Sequence, residues 1–195
     1  MKAHWSQYPR HFLDTETTGL DPLIHEIIEI AVITQRHDGK VDRFVCRVRP
    51  AHIETAHPRA LEINGYDPDL WQGAPVFSEI ADELAARLKW GIIIGHNVEF
   101  DLSFLRAALQ KCGSPRITFR RMCTQQLALE HLPGDRVSMR YLRGFFGLSQ
   151  EGAHRAMKDT EDCRTLFRLL YRAGVLRRLW WWIRFHWLKA KKKPR

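Results

Sequence analysis

The 195-residue sequence predicts an α/β fold: a mixed sheet of three antiparallel strands followed by parallel strands, with helices on both faces. Three observations predict it. Strand-like apolar and β-branched runs joined by turn signals fill the chain up to Val48. The apolar spacing then becomes helical. A short, continuously apolar run, Gly91–Gly95 (GIIIG), lies between helical segments and is of the kind buried on both faces.

The elements follow in order. A first strand reads at Arg10–Asp14, with a turn through Thr17–Pro22, and Glu26–Gln35 (EIIEIAVITQ) reads as a well-buried strand. Asp38-Gly39 marks a hairpin turn into Val41–Val48, where Cys46 and Val48 alternate with Arg47 and Arg49. Pro75–Leu88 carries Ala, Leu and Ile on one helical face. Glu99–Gln110 is a helix with Phe100, Phe104, Leu105, Ala108 and Leu109 at core spacing. Short helices follow at Thr124–His131 and Ser138–Phe146, broken by Pro133-Gly134, and a last one runs from Ala156 to Ala173.

Composition, at 45% apolar and 27% charged, is that of a globular domain with its own core, here residues 1–174, plus a C-terminal segment, 175–195. The N-terminus, MKAHWSQYPR, lacks the apolar stretch of a signal peptide, so the expected location is cytoplasmic. Cys46, Cys112, Cys123 and Cys163 have neither zinc-site nor redox-motif spacing. The net charge of +9 is unevenly distributed. Residues Arg164–Arg195 hold 11 of the 31 Lys/Arg and none of the 22 Asp/Glu, so the rest of the chain is slightly acidic.

The basic excess therefore belongs to the tail, where a polyanion or an anionic membrane surface is the expected neighbour. As a helix, Leu176, Leu179, Trp180, Ile183 and Trp187 form one apolar stripe. Trp181, Trp182, Phe185 and Leu188 lie among Arg177, Arg178, Arg184 and Lys189. Three readings stand side by side: a helix docked on the domain, a nucleic-acid clamp of Trp and Lys/Arg, or an anchor to a membrane surface or protein partner. The apolar run is too short and too charged to span a bilayer.

Three acidic segments carry the chemistry. Asp14 and Glu16, in Asp14-Thr15-Glu16-Thr17-Thr18-Gly19, are two apart, so an extended backbone points both carboxylates to one face. Asp101 opens a helix after the buried strand, and Asp159 lies about one turn into the last helix with His154 just ahead of it. Singly, these are a turn, a helix start and a solvated histidine. Together, four carboxylates converging on one site repel unless cations neutralise them, and oxygen ligands without thiolate suit Mg²⁺ or Mn²⁺. Two such ions serve in-line phosphoryl displacement, and a neutral histidine beside them can take the proton of the attacking water.

These segments resemble the three motifs of the DEDDh 3′–5′ exonucleases, an RNase H-like family that includes the proofreading (epsilon) subunit of bacterial DNA polymerase III, RNase T and TREX-type enzymes. DTETTGL (Asp14–Leu20) is similar to the first motif, HNVEFDLSFL (His96–Leu105) to the second and HRAMKD (His154–Asp159) to the third. The histidine five residues before Asp159 places the chain in the His branch. The resemblance implies that Asp14, Glu16 and Asp159 hold one of two Mg²⁺ or Mn²⁺ ions, that Asp14 and Asp101 hold the second, and that His154 is the general base. It also implies that single-stranded DNA or a DNA 3′ end is the partner, with RNA the alternative polymer. A non-catalytic, polymerase-accessory subunit is the competing class. Backbone groups near Thr17 and Leu20 would hold the terminal nucleotide, and Ile63 and Phe100 either stack on terminal bases or belong to the core. His96 and Asn97 either orient the site or cap the following helix, and capping is the favoured reading.

Overall fold

The computed structural model describes residues 7–114 and 118–171. The expected tail helix, the basic end and the last two residues of the expected Ala156–Ala173 helix lie outside the described residues. The strands are β1 (Arg10–Thr17), β2 (Ile27–Gln35), β3 (Val41–Arg47), β4 (Ile92–Gly95) and β5 (Arg120–Cys123). The helices are α1 (Pro58–Asn64), α2 (Pro68–Trp71), α3 (Phe77–Leu88), α4 (Val98–Lys111), α5 (Thr124–His131), α6 (Met139–Phe146) and α7 (Ala156–Tyr171). None of the described helices is long and apolar enough to cross a membrane.

The sheet order is β3-β2-β1-β4-β5. β1 pairs antiparallel with β2, which pairs antiparallel with β3, whereas β1–β4 and β4–β5 are parallel. Alternation along β1 decides which face each residue serves. Phe12 packs with Ile33, Ile92 and Ile94 against Cys163 and Phe167 of α7. Leu13 joins Ile30, Val32 and Ile93 under Leu84, Leu88, Leu102 and Leu105 of α3 and α4. The same parity sends Asp14 and Glu16 towards α7 and Thr15 towards α4.

Three elements go beyond the sequence-based reading. α1 and α2 each open on a proline in the first turn, with His57 and Asp67 as N-caps accepting backbone N–H bonds from Arg59 and Asp69. The buried Trp71 fastens this insertion to the sheet, its indole Nε1 donating to the Ile28 carbonyl at 2.7 Å. β5 is an edge strand whose Arg120 and Arg121 are exposed, so its pairing rests on backbone bonds to β4 rather than on a hydrophobic pattern. β1 also runs three residues past the expected Asp14 end, which keeps Glu16 on extended backbone. The register with β2 breaks between Glu16 and Thr17.

Candidate active site

β1 has an antiparallel neighbour on one side and a parallel one on the other, and at such a switch point the carboxyl ends of strands open a crevice. The acidic residues gather there. Asp14 and Glu16 come from the end of β1, Asp101 from the first turn of α4 and Asp159 from the first turn of α7. Asp101 is buried and clamped to β1, its Oδ1 accepting the Thr15 backbone N–H at 3.0 Å and the Thr15 hydroxyl at 2.8 Å. Glu16, His154 and Asp159 each offer a ligand atom, and these atoms lie within 4.8 Å of one another.

Two backbone distortions border the crevice. Asn97 and His154 are the only described non-glycine residues with positive φ, at 65° and 62°. A left-handed conformation costs an ordinary residue about 1–2 kcal/mol, so the surrounding structure must hold both in place. His154 is exposed at the mouth, two residues before the start of α7. Asn97 is the N-cap of α4 by position, but its side chain makes no cap bond, so the expected side-chain cap is not formed. The Asn97 carbonyl accepts the Phe100 N–H at 2.9 Å, and the neighbouring His96 ring pairs through Nδ1 with the Thr124 hydroxyl at 3.0 Å.

The carboxylates carry more negative charge than their surroundings compensate. Glu16 is pushed up to about 8, by burial first and then by Asp159, Glu29 and Asp101. Burial lifts Asp101 to about 7 even though the Thr15 hydroxyl and N–H stabilise its charge. Asp14 is raised well above the carboxylate range by burial and by Asp101, Glu16 and Asp159, with Arg143 partly opposing. Asp159 is raised by burial against the counter-pull of Arg143. Such a site takes up either protons or cations. Carboxylate donors without thiolate fit a hard divalent ion, so Glu16 and Asp159 can hold one with Asp14 and Asp101 beside them, and the His154 ring lies close enough to reach a water at the same place.

Two members of the site were not legible in the sequence. Glu29 pairs across β1–β2 with Glu16 and is buried. The Ala156 N–H at the start of α7 favours its charged form against the burial that raises its proton affinity, while Oε2 is buried without a partner among the described residues. EIIEIAVITQ reads as a buried strand, and an acid at Glu29 within its apolar run was the available signal. Arg143 of α6 is 2% exposed and reaches Asp159 and Asp162. In sequence it is one of many arginines.

The residues expected to contact substrate divide. Thr17 is buried: its hydroxyl donates to the Gly19 carbonyl at 2.7 Å, and its own carbonyl accepts from Asn64 of α1 at 2.9 Å. The Thr18 carbonyl likewise accepts the His57 N–H at 2.7 Å, so α1 is tied to the loop after β1. Gly19 is needed for space rather than for a special φ, because an added Cβ would sit 2.2 Å from the His25 ring. Leu20 is 82% exposed and Ile63 of α1 is 46% exposed, which removes the core reading for Ile63. Phe100 is partly buried against the main core, its ring 4.9 Å from Phe104, so packing takes much of its surface.

Comparison with known proteins agrees with this geometry. The RNase T exonuclease family profile matches residues 11–167. DNA polymerase III subunit epsilon of Treponema pallidum (strain Nichols) is 32% identical over 157 residues, covering 79% of this chain and 72% of that protein. The Aquifex aeolicus (strain VF5) epsilon subunit is 25% identical, with coverages of 86% and 80%. The 3′-5′ exonuclease DinG of Staphylococcus aureus (strain MRSA252) is 27% identical over 82% of this chain, which spans only 18% of that protein. The fold matches E. coli exonuclease I solved with a dT13 oligonucleotide, at a TM-score of 0.75 and 20% identity, covering 85% of this chain and 41% of that one. The RNase H-like architecture expected from the motifs is thereby found, and the chain belongs to the RNase T family of exonucleases.

Proposed function

We propose that this chain is a two-metal 3′–5′ exonuclease that releases nucleoside 5′-monophosphates from a nucleic-acid 3′ end, with single-stranded DNA as the preferred polymer. The observation that supports it most is the meeting of Glu16, His154 and Asp159 ligand atoms within 4.8 Å, beside Asp14 and Asp101 in a crevice short of positive charge. Asp14, Glu16 and Asp159 would hold one Mg²⁺ or Mn²⁺, and Asp14 with Asp101 the second. When bound, the two ions neutralise the carboxylates, activate the attacking water and stabilise the leaving oxygen.

The chain's own residues do the rest. His154 at the mouth accepts a proton from the water as its oxygen bonds to phosphorus. The P–O3′ bond to the penultimate nucleotide breaks in line, and the departing 3′-oxygen takes a proton from solvent. Thr15 keeps the Asp101 carboxylate aimed across the site through two hydrogen bonds. Exposed Leu20 and Ile63 offer apolar surface to the terminal base, beside the pinned backbone at Thr17. DNA is favoured by the names of the epsilon relatives and the oligonucleotide complex of exonuclease I, with proofreading or DNA repair as the setting that the resemblance implies. Segment 175–195, outside the described residues, is proposed to supply grip on the nucleic acid or on a membrane surface, and its deletion followed by DNA- and vesicle-binding assays separates the two.

Incubating 3′-labelled single-stranded DNA and RNA with Mg²⁺ or Mn²⁺ tests the reading. Wild type should release labelled mononucleotide from DNA, and Asp14→Ala and His154→Ala should not. Release from neither polymer points to the non-catalytic accessory class, faster release from RNA overturns the DNA preference, and full activity of His154→Ala removes the base.

A further inference from the structure

Arg143 stands out because a buried guanidinium is costly and this one spends half of its bonding on the crevice. It projects from α6, with Nε donating to Asp162 Oδ2 at 2.6 Å and Nη2 to Asp159 Oδ1 at 2.5 Å. Asp159 and Asp162 are three residues apart on α7 and so share a face. Asp162 already has a second cation, because Lys158 Nζ lies 2.5 Å from the same Oδ2. Bracing α6 against α7 therefore needs no contact with Asp159.

The fork geometry explains what the second arm does. A planar guanidinium anchored at Nε on Asp162 cannot turn without breaking that bond, so Nη2 is a fixed donor and the Asp159 carboxylate is fixed with it. Oδ1 is held by Arg143, so Oδ2 is the oxygen free of that bond, and one Asp159 carboxylate oxygen lies in the cluster that Glu16 and His154 complete. A free aspartate in a helix's first turn samples several rotamers, most of them facing away from any given ion.

We infer that Arg143 is a positioning residue for the metal site: it locks Asp159 so that its second oxygen faces Glu16 and His154. The inference rests on the metal reading proposed above. Outer partners of a metal ligand typically account for 10- to 100-fold in metal affinity, which sets the expected effect.

The test measures Mn²⁺ binding to the full chain, without nucleic acid, by electron paramagnetic resonance, alongside thermal unfolding and the Mg²⁺ dependence of turnover. Arg143→Met keeps the apolar stem and removes the fork; Arg143→Gln keeps one donor and decides the matter if the Met variant fails to fold. Mn²⁺ affinity should fall about tenfold or more. The Mg²⁺ concentration for half-maximal turnover should rise by a similar factor, with turnover at saturating Mg²⁺ recovering to within a few-fold of wild type. Asp162→Asn, which weakens the anchor at Nε but leaves the Nη2 donor in place, should lower Mn²⁺ affinity by less than either Arg143 variant. Unchanged Mn²⁺ affinity in a folded Arg143 variant makes Arg143 a brace only. Increased affinity makes it merely a competing cation; either result overturns the inference alone. Absence of Mn²⁺ binding by wild type overturns the metal reading, and the inference with it.

Discussion

The two halves of β1 differ in pairing and in charge. From Arg10 to Leu13 the strand is regular, paired with β2 throughout and with β4 as far as Phe12, and Phe12 and Leu13 are buried in apolar clusters on opposite faces. From Asp14 to Thr17 it has no partner on β4, its register with β2 shifts between Glu16 and Thr17, and the Asp14 and Glu16 carboxylates raise each other's proton affinity with their acidic neighbours. One half is what a stable sheet wants; the other is tolerated only because the first half holds it. Stability and the proposed chemistry are thus neighbours on one strand, and changes in the two halves should have opposite consequences.

Removing a carboxylate gives the largest effect. Asp14→Asn should lower turnover on the order of 10³-fold or more, because metal stabilisation of developing charge is worth several kcal/mol. The metal-free variant should melt no lower than wild type, since one like charge has gone. Turnover assays and calorimetry on the same preparation check both halves of the statement. The converse change is Phe12→Ala, which should destabilise the fold by about 3–5 kcal/mol while leaving Mn²⁺ affinity of the folded fraction within about twofold. A loss of metal affinity matching the loss of stability would show that the two halves are not separable.

A smaller effect concerns pH. Glu16 and Asp101, raised to about 8 and about 7, keep their protons in the folded chain at pH values where the unfolded chain has released them. Stability of the metal-free protein therefore falls as pH rises from the ordinary carboxylate range towards 8. His96, lowered to about 4 by burial, works in the opposite sense, adding stability as pH rises from about 4 to 6.5. Above pH 6.5 the carboxylates act alone, and each group that releases its proton only on unfolding costs up to about 1.4 kcal/mol per pH unit. Melting temperatures without metal should drop between pH 6.5 and 8, and saturating Mg²⁺ should flatten the slope. An equally steep slope with Mg²⁺ present would mean that the ion does not bind these groups. The smallest effect is at the rim: Ile63→Ala or Leu20→Ala should raise KM several-fold with kcat nearly unchanged, since partial burial of one apolar side chain contributes roughly 1 kcal/mol.

What the sequence revealed and what it hid follow from the range of the interactions. β1 to β4 and α3 to α7 were legible because their apolar residues recur with the period of the element. α1 was not: Pro58–Asn64 buries only Asn64, so it has no apolar stripe to read, and it is held by bonds to the Thr17 and Thr18 carbonyls, the first of them 47 residues away. β5, with two exposed arginines in four residues, is a strand only because β4 offers it an edge. In the candidate site, Asp14, Glu16, Asp101, His154 and Asp159 were named from motif spacing, and the fold brings all five to the crevice. Glu29 and Arg143 were not named, because what marks them is burial beside a partner distant in sequence. Arg143 is 16 residues from Asp159, and Glu29 meets Glu16 only across the strand pairing.

The most direct test of the central claim is polarity under metal control. Two DNA oligonucleotides of one sequence, blocked at the 3′ end or at the 5′ end, are followed for mononucleotide release with Mg²⁺ and with a chelator. The 5′-blocked strand should be degraded stepwise with Mg²⁺ and left intact with the chelator, and the 3′-blocked strand should survive both. Degradation of the 3′-blocked strand at a comparable rate, or of either strand in the presence of the chelator, would contradict the account.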